Sequence, residues 1–219
     1  MKTKKMHNMA TTNPKLLSWF ASENPLSVFF KILPIVGILV YFILRNFGWS
    51  TAHFVCFLLG LFTWSLFEYV VHRWVYHVKF NNENLRWFLE SFHIYHHQKM
   101  DDHHVLNAGF FLIYPLFLVF FGIVFVLTKD LPQTSSFCLG LIFYYFFYEN
   151  VHYFLHYKTY KNGYFHFIQK YHLYHHYKNW KSNFGNTTSF WDRVFGTYDV
   201  RYKEFSLGTI EKSHLISEK

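Results

Sequence analysis

Four long apolar stretches, separated by polar segments, dominate the pattern of this 219-residue chain. A helix that crosses a bilayer needs about 20 predominantly apolar residues, and each stretch approaches that length. Only short connections separate the first stretch from the second and the third from the fourth, as in neighbouring antiparallel spans. The pattern therefore predicts four transmembrane helices, approximately at residues 26–44, 51–71, 105–127 and 135–151.

The polar segments complete an all-α prediction for an integral membrane protein. Residues 1–25 form a cytosolic N-terminal segment, and residues 26–219 form a single membrane-embedded domain. Residues 72–104 and 152–205 are polar enough to form a helical cap outside the bilayer. The N-terminus is basic and lacks the compact apolar core of a cleaved signal peptide. Composition supports the membrane class, because 52% of the residues are hydrophobic and 24% are aromatic.

Charge orients the predicted bundle. Lys and Arg accumulate on the cytosolic side of membrane proteins, and only Arg45 and Lys129 of the 21 such residues lie in the two short connections. Both termini and the cap are therefore predicted to be cytosolic. The net charge of +8 follows from this topology, and no basic stripe with a nucleic-acid-binding motif accompanies it. Cys56 and Cys138 lie inside apolar runs, which argues against a disulfide framework or a zinc knuckle.

Histidines carry the candidate chemistry. Ten of the sixteen fall into four clusters: His72 and His77; His93, His96 and His97; His152 and His156; His172, His175 and His176. Two predicted spans separate the second cluster from the third, so all four clusters emerge on one membrane face. Histidine is the commonest metal ligand, and ten are enough for two ions. We therefore predict a dimetal site in the cap.

Cluster spacing indicates how the rings meet. His152 and His156 share a helix face at i and i+4. The rings of each H-x2-H-H triplet span only about 100° of helix circumference, so they can converge. In contrast, His72 and His77 are about 140° out of alignment on a regular helix, which predicts that the helix ends or unwinds between them. Carboxylates that could orient ligating rings are Glu68, Glu149, Asp101 and Asp102.

Other readings stay open from the residues alone. His103 and His104 are ambiguous, whereas His7, His53, His166 and His214 are expected to be ordinary polar residues. Imidazole suits Zn, Cu, Fe and Ni alike, and the site is poor in carboxylates compared with di-iron sites of soluble bundles. A bis-histidine haem electron carrier and a metal transporter or sensor are the non-enzyme alternatives. Both fit less well, because the clusters lie at an interface and not at the span centres.

Four motifs in this order resemble the fatty acid hydroxylase superfamily of membrane oxygenases, which includes sterol desaturases and C4-methyl oxidases. They are EYVVHRWVYH at 68–77, HIYHH at 93–97 with Asp102 following, YENVHYFLH at 148–156, and HLYHH at 172–176 followed by NFG at 183–185 and WDRVFGTY at 191–198. The spacing is most similar to that of fatty acid 2-hydroxylases. Met100, where Pro is typical, and the segment 103–110 depart from that pattern.

The resemblance implies a non-haem di-iron monooxygenase that hydroxylates a lipid C–H bond with O2. The ten clustered histidines would be the metal ligands, with zinc able to replace iron in the same site. Trp191 and Asp192 are expected to stabilise the cap. A fatty acyl chain is the expected substrate, with attack at C2 left open, and desaturation or C4-methyl oxidation of an isoprenoid lipid is the alternative. Electrons would come from an external donor of the ferredoxin or cytochrome b5 type, since no cytochrome b5 domain is visible in the chain.

Overall fold

The computed structural model describes residues 8–45, 50–100, 102 and 107–209, and these residues are almost entirely helical. The helices are α1 (Met9–Thr12), α2 (Pro14–Phe20), α3 (Pro25–Leu44), α4 (Thr51–Val71), α5 (Glu83–Leu89), α6 (His93–Gln98), α7 (Phe110–Thr128), α8 (Leu131–Tyr157), α9 (Gly163–Tyr177) and α10 (Phe190–Val194). A π-helical turn, His72–Tyr76, continues α4, and two 3₁₀ segments lie at Val200–Glu204 and Leu207–Thr209.

Three of the described helices are long and apolar enough to cross a membrane: α3, α4 with its π turn, and α7. The fourth predicted span is part of α8, which is longer than expected. Its N-cap is Asp130, whose carboxylate accepts a hydrogen bond from the Gln133 amide at 2.8 Å. Polar residues along α8 lower its hydropathy. The helix is nevertheless 27 residues long, enough to cross a bilayer and extend into the cap.

A small strand pair is the exception to the all-α prediction. Strands β1 (Ala21–Ser22) and β2 (Asn107–Ala108) pair antiparallel, with Ala21 opposite Ala108. Because β2 and Gly109 precede it, α7 begins at Phe110, so the prediction of a span from residue 105 started too early. Lys31 reinforces this corner by donating to the Ala21 carbonyl at 3.2 Å and to the Ser22 hydroxyl at 2.7 Å.

Helix α8 forms the centre of the bundle and packs against α3, α4 and α7. Gly60 of α4 and Gly140 of α8 allow the closest approach, because a Cβ on Gly60 would collide with the Phe137 carbonyl and one on Gly140 with the Phe57 carbonyl. Small residues bring membrane helices into backbone contact in this way. The close packing holds the C-terminal ends of α4 and α8, where the first and third histidine clusters lie, side by side.

Candidate metal centre and its cavity

The ten clustered histidines assemble into two groups of five. In each group, ring nitrogens from all five residues lie within 4.8 Å of one another. The outer group contains His72, His77, His93, His97 and His175, and the inner group contains His96, His152, His156, His172 and His176. Nine of the ten are buried, and His77 alone among them is partly exposed. Four separate segments of the chain therefore meet at one paired centre.

Each group consists of two close pairs and one additional histidine. The outer group takes the pairs 72/77 and 93/97 with His175, and the inner group takes 152/156 and 172/176 with His96. The structure thus divides each H-x2-H-H triplet, contrary to the expectation that its rings converge. On a helix the rings at i and i+4 are only about 40° apart around the axis. The ring at i+3 lies about 60° from the ring at i, in the opposite direction. Each half of the chain therefore donates one histidine to the other half's group.

The π turn explains how His72 and His77, which would point in different directions on a regular α-helix, reach the same group. Backbone hydrogen bonds in a π-helix run from i to i+5, so one turn contains more residues than in an α-helix. The widened turn over His72–Tyr76 brings the two rings to a centroid distance of 5.1 Å. The prediction that the regular helix ends or unwinds between them is confirmed.

Ring nitrogens face one another at distances that suit shared metal ligands. In the outer group, Nε2 of His175 lies 3.1 Å from His72, 3.1 Å from His77 and 3.2 Å from His97. A ring nitrogen carries at most one hydrogen, so these contacts cannot all be hydrogen bonds. Two ligand nitrogens at right angles, each about 2.1 Å from an ion, are about 3.0 Å apart. The outer group therefore has the dimensions of a metal site.

The inner group has the same dimensions. His156 Nε2 lies 3.1 Å from His96 Nε2 and 2.7 Å from His172 Nε2. Both ring nitrogens of the buried His176 have no hydrogen-bond partner among the described residues. A buried, unsatisfied nitrogen is costly, and coordination of an ion would satisfy it. The residues of both groups thus fit a bound metal.

Burial also keeps the rings in the protonation state that metals need. Loss of water lowers the pKa of His77 to about 4 and that of His175 to about 3. Burial, reinforced by neighbouring imidazoles, lowers the pKa of five more rings well below the ordinary value: His93, His96, His97, His172 and His176. Neutral imidazole offers a nitrogen lone pair to a metal.

A loop over residues 182–187, hereafter the carbonyl loop, orients two rings of the outer group. His175 Nδ1 lies 2.7 Å from the Ser182 carbonyl, and His72 Nδ1 is hydrogen bonded to the Phe184 carbonyl. A ring that donates through Nδ1 presents its Nε2 lone pair, which fixes both the tautomer and the direction of coordination. Sequence reasoning missed this role, because a backbone carbonyl leaves no side-chain signal.

Two buried carboxylates hold the carbonyl loop in place. Glu68 accepts from the amides of Asn186 at 2.6 Å and Thr187 at 2.9 Å, and from the Thr187 hydroxyl at 2.6 Å. Asp192 accepts from the amides of Phe184 at 2.9 Å and Gly185 at 2.8 Å. Burial raises the pKa of Asp192, although these hydrogen bonds act in the opposite direction. Asp192 thus holds the carbonyl loop, which agrees with the structural role expected of it.

The remaining candidate residues take varied positions. The Asp102 carboxylate accepts from the Tyr95 hydroxyl at 2.8 Å, and Glu149 accepts from the Ala108 amide at 3.3 Å. His166 lies 2.6 Å from the Tyr160 carbonyl and His53 lies 3.0 Å from the Ser50 amide, as expected of ordinary polar residues. His7, Asp101, His103, His104 and His214 lie outside the described residues.

An apolar cavity of about 280 Å³ reaches both histidine groups. His72 and His93 of the outer group line it, as do His96 and His152 of the inner group. Most of the rest of its wall comes from α4 with its π turn, α7 and α8, and it is apolar or aromatic apart from the carboxylates of Glu68 and Glu149. A long, flexible apolar molecule could therefore enter the space between the helices and reach the candidate metals.

The motif order, the paired histidine groups and the cavity agree with the comparison to known proteins. The fatty acid hydroxylase family model matches residues 57–197. The chain belongs to the fatty acid hydroxylase family. That match includes all ten clustered histidines, the carbonyl loop and Asp192.

Relatives in the family carry hydroxylase names. The chain is 37% identical over 155 residues to the ceramide very long chain fatty acid hydroxylase scs7 of Schizosaccharomyces pombe, covering 68% of this chain and 43% of the relative. It is 33% identical over 145 residues to the dihydroceramide fatty acyl 2-hydroxylase FAH2 of Arabidopsis thaliana, covering 63% and 58%. It is 30% identical over 168 residues to the human fatty acid 2-hydroxylase, covering 73% and 41%.

A solved structure shares the fold. Full-length scs7p, in which only the hydroxylase domain is visible, superposes with a TM-score of 0.73 at 32% identity. The match covers 86% of this chain and 70% of that one. The curated relatives are longer, and this chain spans about half of their length.

Proposed function

We propose that this chain is a membrane-bound, O2-dependent hydroxylase of a lipid acyl chain, a non-haem di-iron monooxygenase. One observation carries the proposal: histidines of both five-histidine groups line the apolar cavity. A transporter or a metal store needs no apolar cavity at its metals, whereas an enzyme that oxidises an inert C–H bond must bring the alkyl chain to them. Family membership and the names of the relatives support the same reaction class.

Two iron ions held by the ten histidines would supply O2 activation and redox chemistry, which zinc cannot supply. The chain's own residues prepare the site. Burial keeps the imidazoles neutral, the carbonyl loop directs His72 and His175, and the apolar wall excludes water from the substrate. Zinc fits the same nitrogens, so the metal in purified protein depends on its supply.

The proposed topology has four membrane-crossing helices, with both termini and the metal centre in the cytosol. The length of α8 and its contacts with all three apolar helices support a fourth crossing. The near absence of Lys and Arg from the two short connections supports the orientation. The cap would then place the histidines at the cytosolic interface, where the α4 and α8 helices end.

The names of the relatives support a fatty acyl chain, and specifically its C2 position, as the site of attack. The electron donor would be a protein of the ferredoxin or cytochrome b5 type. Trp180 supports its approach from outside the cavity, because the indole does not line the cavity, is 39% exposed and has its ring centroid 4.7 Å from that of His97. Three exposed lysines lie near His97 and Trp180 in the sequence and could steer an acidic donor: Lys99, Lys178 and Lys181.

The test is lipid mass spectrometry on the iron-loaded protein, supplied with O2, a reductase and a cytochrome b5-type donor. His152→Ala removes an inner-group ring, and His166→Ala removes a histidine outside both groups. We expect a lipid that gains one oxygen with the unmutated chain and with His166→Ala, but not with His152→Ala. Loss of two hydrogens would identify a desaturase instead. Equal lipid profiles for all three proteins would contradict the proposal.

A further inference from the structure

The deep end of the cavity is closed by three aromatic rings from three different helices. Trp64 of α4 and Phe117 of α7 stack nearly parallel, at 5° and a centroid distance of 5.9 Å. Tyr145 of α8 meets Trp64 edge-on at 5.1 Å and Phe117 edge-on at 6.0 Å. All three contacts of the triangle are therefore made, and we refer to these residues as the aromatic floor.

The three rings lie at one depth. Trp64 precedes His72 by eight residues and Tyr145 precedes His152 by seven, which places both about 11 to 12 Å along their helices from the histidines. Phe117 lies seven residues into α7, which enters the bundle from the same end. No residue farther from the histidine end on these three helices lines the cavity. The cavity thus ends where the rings meet.

On the side of the aromatic floor away from the histidines, α4, α7 and α8 pack against one another and none of their residues lines the cavity. Cys138, Leu141 and Ile142 of α8 are at most 2% exposed and belong to the same core cluster as the floor. The floor rings themselves are at most 5% exposed. Closely packed protein interiors resist an added methylene group, because their side chains have no free volume into which to move.

We propose that the aromatic floor limits the length of the acyl chain that can extend from the metals into the membrane, and so selects substrates by chain length. The inference rests on the proposed function, since it takes the cavity to be the acyl site. A chain that reaches the floor with its reacting carbon at the histidines fills the cavity. A longer chain must displace an aromatic ring or withdraw its reacting carbon.

Two kinds of substitution move the limit in opposite directions. Trp64→Leu and Phe117→Leu shrink the floor and open the core below it. Ile113→Phe adds a ring one turn closer to the histidines, on the same face of α7 as Phe117, and so shortens the cavity. Phe54→Leu and Leu118→Phe are matched controls, because these side chains are 55% and 71% exposed on the outer faces of α4 and α7.

The experiment measures binding, without O2 or an electron donor. Each purified variant of this chain, in detergent, is offered an equimolar series of saturated fatty acids from decanoic to hexacosanoic acid, and native mass spectrometry identifies the acids retained. We expect the longest retained acid to gain at least about two carbons in the two leucine variants and to lose about as many in Ile113→Phe. Both controls should match the unmutated chain.

An unchanged cut-off in the floor variants overturns the proposal. If the leucine variants do not fold, Ile113→Phe still tests the proposal, because this substitution fills space instead of removing it. An unchanged longest retained acid in Ile113→Phe would also contradict the proposal. The two proposals fail separately. Binding with shifted cut-offs but no oxidised product refutes the hydroxylase function alone, whereas oxidised product with a fixed cut-off in every variant refutes the floor alone.

Discussion

The outer and inner histidine groups contain the same number of rings but are built by different means. The inner group takes its two pairs from α8 and α9 at the i, i+4 spacing of regular helices, and all five of its rings are buried. The outer group depends on a π turn for its first pair, on backbone carbonyls for two ring orientations, and on the partly exposed His77.

Two histidine groups of the same size can therefore depend on different parts of the structure to hold their rings in position. Rigid helices position the inner rings through local geometry, so the inner group should keep its shape after changes in loops. The outer rings follow the carbonyl loop, which Glu68 and Asp192 hold. The predictions below test this contrast, beginning with the largest effect.

Removal of an inner ring should have the largest effect. His176→Ala deletes a ring whose two nitrogens have no hydrogen-bond partner among the described residues, so under the proposed function the variant loses a metal ligand. Iron content, measured by plasma mass spectrometry, should fall from about two to about one per chain, and oxidised lipid should fall below detection. His166→Ala should retain both ions. Full iron content in His176→Ala would show that the ring is not a ligand.

Loss of Asp192 should destabilise the cap and weaken the outer group. Asp192→Ala leaves the buried amides of Phe184 and Gly185 without their acceptor, at about 1–3 kcal/mol each. We expect a melting temperature lower by about 10 °C and earlier release of one ion in a chelator titration. Asp130→Ala removes a helix cap on the far end of α8 and should cost only about 1 kcal/mol. Simultaneous release of both ions in Asp192→Ala would contradict the view that only the outer group depends on the carbonyl loop.

Substitutions of Glu68 can distinguish two roles of its carboxylate: holding the carbonyl loop through hydrogen bonds, or supplying negative charge near the metals. Glu68→Gln retains an oxygen that can accept from the Asn186 and Thr187 amides, and its amide can donate to the Thr187 hydroxyl. We expect Glu68→Ala to lower the affinity of the outer group for iron about 10-fold and Glu68→Gln to change it little. Equal losses in both variants would mean that the negative charge itself is needed.

Asp199 should give the smallest effect, through pH. The Arg201 guanidinium and further donors hold the pKa of its carboxyl well below the usual range. The donors include the Asn179 side-chain amide and the hydroxyl of Ser182, the first residue of the carbonyl loop. A lowered folded pKa contributes stability that is present above the ordinary pKa of about 4 and lost as the pH falls further. The difference in melting temperature between the unmutated chain and Asp199→Asn should therefore shrink below about pH 4. A constant difference would exclude this linkage.

The chain's sequence predicted much of the fold and the set of candidate ligands. Apolar length located α3, α4, α7 and a large part of α8, because the thickness of a bilayer fixes how many residues a span needs. Histidine spacing identified all ten rings, and the H-x4-H gap predicted the break in regular helix at His72–His77. The bounds of α7 were less predictable, since they depend on the pairing of β2 with a strand far away in the chain.

Local periodicity alone determined which histidines form i, i+4 pairs, because 3.6 residues per turn place those rings on one helix face. The tertiary structure decided that His96 and His175 cross into the other half's group, since their direction is set by the packing of α6 and α9 around the centre. It also placed the Glu68 carboxylate on the amides of the carbonyl loop, 118 residues away in the chain. Contacts of that range depend on how the helices pack, which no local pattern specifies.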